Sequence, residues 1–348
     1  MTARSRLPLY LAVVYGLLAL YASLHPLVGW RDTGGDPFAF LFAAWPRYFT
    51  GFDLAANTLA YVPLGLLWAA TFSARLPRGA AFLLALALGS ALSLGIETAQ
   101  NFLPNRVPSN LDLACNALGT LLGAAAGARW GDHLLDGGRL HAWRERRFRP
   151  GAAADVGLVL LGLWFLTQLN PETFLFGNGN LRALLGLPAP LPFDAGRFAE
   201  MEMATVAAQT LAIALIGARL AANHPVLLPV ALIAAALLVK SLALMLLIES
   251  LHGFAWATPG TLGGLALGCG LWIATTPLDA RARQALAALA LMLAVVLANL
   301  MPDNPYLEHT LSVWRQGHFL NFNGATRLVS SLWPFLALPW LMLFRSDR

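Results

Sequence analysis

Apolar residues in this chain gather into long runs rather than into alternating or one-faced patterns, and short breaks rich in Pro, Gly and Arg separate them. Ten runs follow one another, near residues 7–25, 53–73, 79–100, 110–129, 152–169, 200–221, 226–250, 259–276, 284–301 and 326–344. Most are close to the ~20 residues that a helix needs to cross the hydrocarbon core. Backbone groups in lipid have no water to bond, so such runs fold as helices. The pattern predicts an all-α polytopic membrane protein with about 10 transmembrane helices.

Composition agrees and narrows the partners. Of 348 residues, 58% are hydrophobic and 12% are charged, roughly half the charge of an ordinary soluble domain. A pI of about 9.7 would point to nucleic acid in a soluble chain, but here the arginines follow topology instead. Arg4, Arg6, Arg75, Arg78, the stretch RLHAWRERRFRP (139–150), Arg219, Arg281, Arg283, Arg345 and Arg348 all fall on one side. Only Arg31, Arg47, Arg106, Arg182, Arg197 and Arg315 fall on the other, over longer loops. The positive-inside rule makes the first side the cytoplasm, with both termini on it, and no nucleic-acid partner is expected. The basic start MTARSR also resembles the head of a signal peptide, yet no clean small-x-small site follows at LYASLHP, so the first run is expected to remain as a helix. Cys115 and Cys269 lie inside apolar runs in no disulfide or zinc pattern and read as small packing residues.

Three runs end alike, in YASLHP (21–26), LTQLNP (166–171) and LANLMP (297–302), each followed by a long loop rich in aromatics, Pro and Gly. Gly119, Gly123 and Gly127 recur every fourth residue in the fourth run, as Gly260, Gly264 and Gly268 do in the eighth. Small residues on one stripe let helices approach closely. Together these matches predict parallel four-helix repeats in a 4+4+2 arrangement. The units run over 1–130, a basic cytoplasmic linker at 131–151, a degenerate second unit at 152–276 and a truncated third at 284–348.

The chemistry gathers around one short loop, IETAQNFLPNRVPSNLDLACNALGTLLG (96–123). Glu97 and Gln100 share a helical face at the end of the third run. Carboxylates at membrane depth are costly and usually face a polar cavity or a partner. Arg106 returns to the same mouth, as a clamp for a carboxylate or phosphate or as a counter-ion for Glu97. SNLD (109–112) fits a capping box, so Asp112 is either a cap or a site residue. Asn116 lies one turn deeper, where an unsatisfied amide would cost free energy.

This ordered polar set, with NTLAYVPLG (57–65) upstream, resembles the VanZ-like family over about residues 53–127. The matching positions are Glu97, Gln100, Arg106, Asp112, Asn116 and Gly119, with Asn57 and Pro63 from the upstream motif. The resemblance implies an integral protein of the bacterial cytoplasmic (inner) membrane, in a family named for low-level resistance to the glycopeptide teicoplanin. Substrate binding is accordingly expected at Glu97, Gln100, Arg106, Asp112, Asn116 and Asn57. The second unit has Glu249 in the place of Glu97, but its following loop is shorter and lacks counterparts of Arg106, Asp112 and Asn116, so it reads as scaffold or as a different half of one site.

Elsewhere, Lys240 is the chain's single lysine and lies in the seventh run. It needs a buried partner such as Glu200 or Glu202, a neutral state, or a snorkelling path to the interface. His25, His252, His309 and His318 share a face with Glu97 and Asp303, but no H-x-x-x-H or H-E-x-x-H spacing occurs, and no metal or cofactor is expected. The stretch WRQGHFLNFNGATRLVSSLWP (314–334) joins Arg315 and His318 to Arg327 and reads as a lid over the mouth or as an interfacial anchor through Trp314 and Phe319. Three functions fit: a site that binds or handles a membrane lipid, lipid-linked envelope precursor or amphiphilic glycopeptide; a transporter or flippase; and an intramembrane hydrolase or transferase with Glu97 as base.

Overall fold

The structure is a computed structural model that describes residues 5–32, 34–131, 138–248, 253–305 and 320–343. Twelve helices follow in order: α1 Leu7–Leu24, α2 Gly51–Ser73, α3 Arg78–Gln100, α4 Asn110–Gly131, α5 Arg139–Arg147, α6 Ala152–Gln168, α7 Leu181–Leu184, α8 Ala195–Leu220, α9 Leu227–Leu247, α10 Pro259–Ala274, α11 Ala280–Leu300 and α12 Leu320–Leu343. Among the described residues there is no strand. Eight helices among the described residues are long and apolar enough to cross a membrane, and α6 and α10, at 17 and 16 residues, are apolar but shorter. The chain is a multi-pass membrane protein.

Hydropathy located the helices well and their starts less well. α8 begins at Ala195 rather than near 200 because Asp194 caps it, accepting the Arg197 N–H at 2.8 Å. α11 begins at Ala280 because Asp279 accepts the Ala282 N–H at 2.7 Å. A polar cap starts a helix ahead of the apolar stretch. The long loops carry short elements of their own, a 3-10 turn at Ala39–Phe42 and the single turn of α7.

Two compact units divide the chain, Met1–Glu145 and Arg146–Arg348. In the first, α4 lies directly on α2: a Cβ added to Gly119, Gly123 or Gly127 would strike the carbonyl oxygen of Thr58, Val62 or Leu66. Gly65 of α2 returns the contact against the Thr120 and Ala124 backbone. Within the second unit α10 lies on α8 in the same way, with Gly260, Gly264 and Gly268 against the carbonyls of Ala199, Met203 and Ala207. The same number of residues separates Thr58 from Ala199 as separates Gly119 from Gly260.

Candidate functional site

Four helix ends meet in the first unit, where α1 and α3 finish and α2 and α4 begin. α2 brings Asp53, Asn57 and Tyr61 to this mouth, α3 brings Ser93 and Glu97, and α4 brings Asp112, Asn116 and Thr120. Each set recurs every four residues, so each is a stripe on one helix face.

The outermost contacts come from an unusual cap. Ser109 precedes α4 and its Oγ accepts the Asp112 N–H at 3.2 Å. In a closed capping box the Asp112 carboxylate would in turn accept the Ser109 N–H. Instead Glu97 Oε2 takes that N–H, at 2.8 Å, from the end of α3. The Asp112 carboxylate is thereby left free of the cap and lies within electrostatic reach of the Asn57 side chain. α2 provides the contrast, since Thr50 and Asp53 close a complete box on themselves.

One turn further in, Asn116 Nδ2 donates to Ser93 Oγ at 2.9 Å, and the buried Tyr61 lies beside Ser93 and within electrostatic reach of Glu97. Asn116 is only 5% exposed, and its Oδ1 has no partner among the described residues. The column closes at Thr120, whose hydroxyl donates to the Asn116 carbonyl at 2.8 Å and whose side chain fills the space beside Gly89. Glu97 is 3% exposed, makes no ion pair among the described residues, and lies within Coulombic range of Asp112, which in turn feels Asp53.

Gln100 and Arg106 face the end of α1 instead. Gln100 Nε2 donates to the Ser23 carbonyl at 3.0 Å, and Arg106 Nη2 donates to the His25 carbonyl at 2.5 Å. Partial burial holds the Arg106 guanidinium below its usual pKa. Of the six residues expected from the sequence, Asn57, Glu97, Asp112 and Asn116 thus form the column, while Gln100 and Arg106 secure its rim. Tyr61, Ser93 and Asp53 were not among them. The available signal was their four-residue spacing from Asn57 and Glu97.

Arg106 belongs to a pattern in which a cation serves the carbonyl before a proline. Lys240 Nζ donates at 2.7 Å to Asn170 O and at 2.7 Å to Thr173 O, and Arg182 Nη2 donates at 3.3 Å to Met301 O. His25, Asn170 and Met301 are the residues before proline in the three matching run ends. The last carbonyls of a helix lack intrahelical partners and carry its negative pole, so a cation is the suitable cap. Lys240 is 2% exposed and therefore does not snorkel. Neither Glu200 nor Glu202 pairs with it, because Glu202 accepts from the hydroxyls of Thr258 at 2.7 Å and Thr261 at 3.1 Å.

Glu249, His252, His309, Trp314, Arg315, His318 and Phe319 lie outside the described residues. Among the described residues, no three His, Cys, Asp or Glu side chains are grouped to hold a metal ion. No curated protein and no solved structure matches the chain. The family model described as VanZ/LLP1 matches residues 9–130, so over roughly the first third of its length, including every residue of the polar column, the chain is similar to that family.

Proposed function

We propose that the mouth of the first unit binds the headgroup of an envelope amphiphile, either a lipid-linked intermediate or an amphiphilic glycopeptide. Asn57, Glu97, Asp112 and Asn116 would contact the headgroup, with Gln100 and Arg106 at the rim. The observation that carries this reading is unused acceptor capacity in a buried column: among the described residues Asn116 Oδ1 has no partner and Glu97 accepts a single hydrogen bond. Buried polar atoms in folded proteins are normally satisfied. Hydroxyl or amine donors of a sugar-bearing headgroup would satisfy them here. An apolar groove lined by Trp30, Phe38, Leu94 and Phe102 runs along the outside of α3 and suits the chain of an amphiphile. On this reading the protein resides in the bacterial cytoplasmic membrane with both termini in the cytoplasm, which sets the mouth on the outer face.

Glu97→Gln tests the proposal, because the amide keeps an acceptor for the Ser109 N–H and loses only the charge. Expressed in a teicoplanin-sensitive bacterium, the variant is expected to lose the tolerance that the wild-type protein confers while its membrane-inserted amount stays nearly unchanged. Full tolerance at equal expression would sink the proposal. Turnover of a lipid-linked intermediate by purified wild-type protein, abolished in Glu97→Gln, would replace it with the hydrolase or transferase reading.

A further inference from the structure

The second unit contains a cavity of about 230 Å³ where the segment after α6 meets α7, α11 and α12. That volume suits a headgroup rather than a drug-sized ligand. Its wall carries two carboxylates and two guanidinium groups. One pair is spent: Arg182 meets Asp303 at 2.7 Å, and its remaining contacts go to the Met301 and Leu187 carbonyls.

The other pair is not closed. Arg327 gives one N–H to the Ala183 carbonyl at 2.7 Å and acts on Glu172 electrostatically, but the two make no ion pair. The Glu172 carboxylate accepts no hydrogen bond from a described residue. Two further wall residues are almost fully enclosed and incompletely bonded: Asn170 is 0% exposed with Nδ2 unpartnered, and Ser330 is 3% exposed with Oγ unpartnered. Asn170 Oδ1 already accepts the Glu172 N–H at 2.9 Å and its backbone carbonyl holds Lys240, so the amide nitrogen is what Asn170 still offers.

We propose that this cavity is a binding site for a zwitterionic phosphoester headgroup of the phosphoethanolamine type, its ammonium on Glu172 and its phosphate on Arg327, Asn170 Nδ2 and Ser330 Oγ. Charge decides the class. A simple anion would meet Glu172 and Asp303, and a simple cation would meet Arg327 and Arg182. A neutral polyol could hydrogen-bond everywhere, yet would bring no counter-charge to the half-buried Glu172 or to Arg327. A ligand carrying both signs closes both with charge-assisted bonds, which are roughly twice as strong as neutral ones. The site is independent of the one proposed for the first unit.

The test uses the full-length protein purified in a sugar-free detergent and follows its thermal unfolding midpoint against short-chain phosphatidylethanolamine, phosphatidylglycerol, a glycosyl diacylglycerol and soluble phosphoethanolamine. Phosphatidylethanolamine is expected to stabilise the wild type more than the anionic or glycosyl lipid does. Saturation by soluble phosphoethanolamine at similar concentration would assign the same site to a free metabolite, and its failure to saturate would assign the site to lipid. Glu172→Gln is expected to weaken phosphatidylethanolamine at least tenfold with little effect on phosphatidylglycerol. Ser330→Ala removes an unpartnered hydroxyl, so it is expected to weaken the response several-fold without lowering the unliganded midpoint. Equal stabilisation by all three lipids, or Glu172→Gln responding like the wild type, would overturn the proposal.

Discussion

At the scale of single residues, the membrane interior turns each polar group into a question about its partner, and Lys240 gives the clearest answer. Its ammonium is held by two carbonyls of the segment after α6, so it fastens irregular backbone rather than answering a carboxylate. Lys240→Met should leave both carbonyls unsatisfied at about 1–3 kcal/mol each. Thermal unfolding of purified protein is expected to show a clear loss, with Glu202→Gln leaving the Lys240 bonds intact. An unchanged or raised midpoint for Lys240→Met would mean that these bonds contribute nothing. Glu97 was legible in the sequence because a carboxylate at the end of an apolar run is conspicuous. Its actual bond was not, since SNLD offers a local partner for the Ser109 N–H and only the approach of α3 shows that Glu97 takes it. Tyr61 and Ser93 passed unnoticed because a tyrosine or serine near a helix end is ordinary in membrane proteins.

At the scale of elements, glycine decides which helices touch. Val62 O stands where a Gly123 side chain would go, whereas nothing lies within 4 Å of a Cβ placed on Gly95. Gly123→Ala is therefore expected to lower the amount of folded, membrane-inserted protein, because α2 and α4 must separate. Gly95→Ala should be neutral or slightly stabilising, by up to about 1 kcal/mol from helix propensity. Quantitative blotting of membranes together with unfolding midpoints separates the two outcomes, and equal tolerance of both changes would count against the close contact. The registers of α2 with α4 and of α8 with α10 match, as an internal repeat would require. The three cation-capped carbonyls before proline match likewise. What spacing could not reveal is the cavity of the second unit. Asn170, Glu172, Arg182, Arg327 and Ser330 come from separate parts of the chain, and reading that unit as scaffold overlooked them because no local motif joins them.

At the scale of the whole molecule the number of crossings turns on the two shorter apolar helices, α6 and α10, and α6 is the one with a buried extension. Its 17 residues span roughly 26 Å, short of the ~30 Å hydrocarbon core. The chain beyond α6 does not emerge at once, since Asn170, Leu175, Phe176 and Asn178 are all buried. Irregular backbone at membrane depth is tolerated only where protein satisfies it. Here Lys240 serves Asn170 O and Thr173 O, Asn299 Nδ2 donates to Gly179 O at 2.8 Å, and the Gly179 N–H donates to Ser330 O at 2.8 Å. Helix and buried segment together would complete a crossing, as the expected ten spans with both termini on the cytoplasmic side require. Single cysteines in a background with Cys115 and Cys269 replaced by Ala provide the measurement. Tyr48→Cys and Leu187→Cys should react with an impermeant maleimide on intact cells, whereas Glu145→Cys and His224→Cys should react only after permeabilisation. If Leu187→Cys behaved like Glu145→Cys, α6 and its buried extension would not cross, and every later loop would change sides.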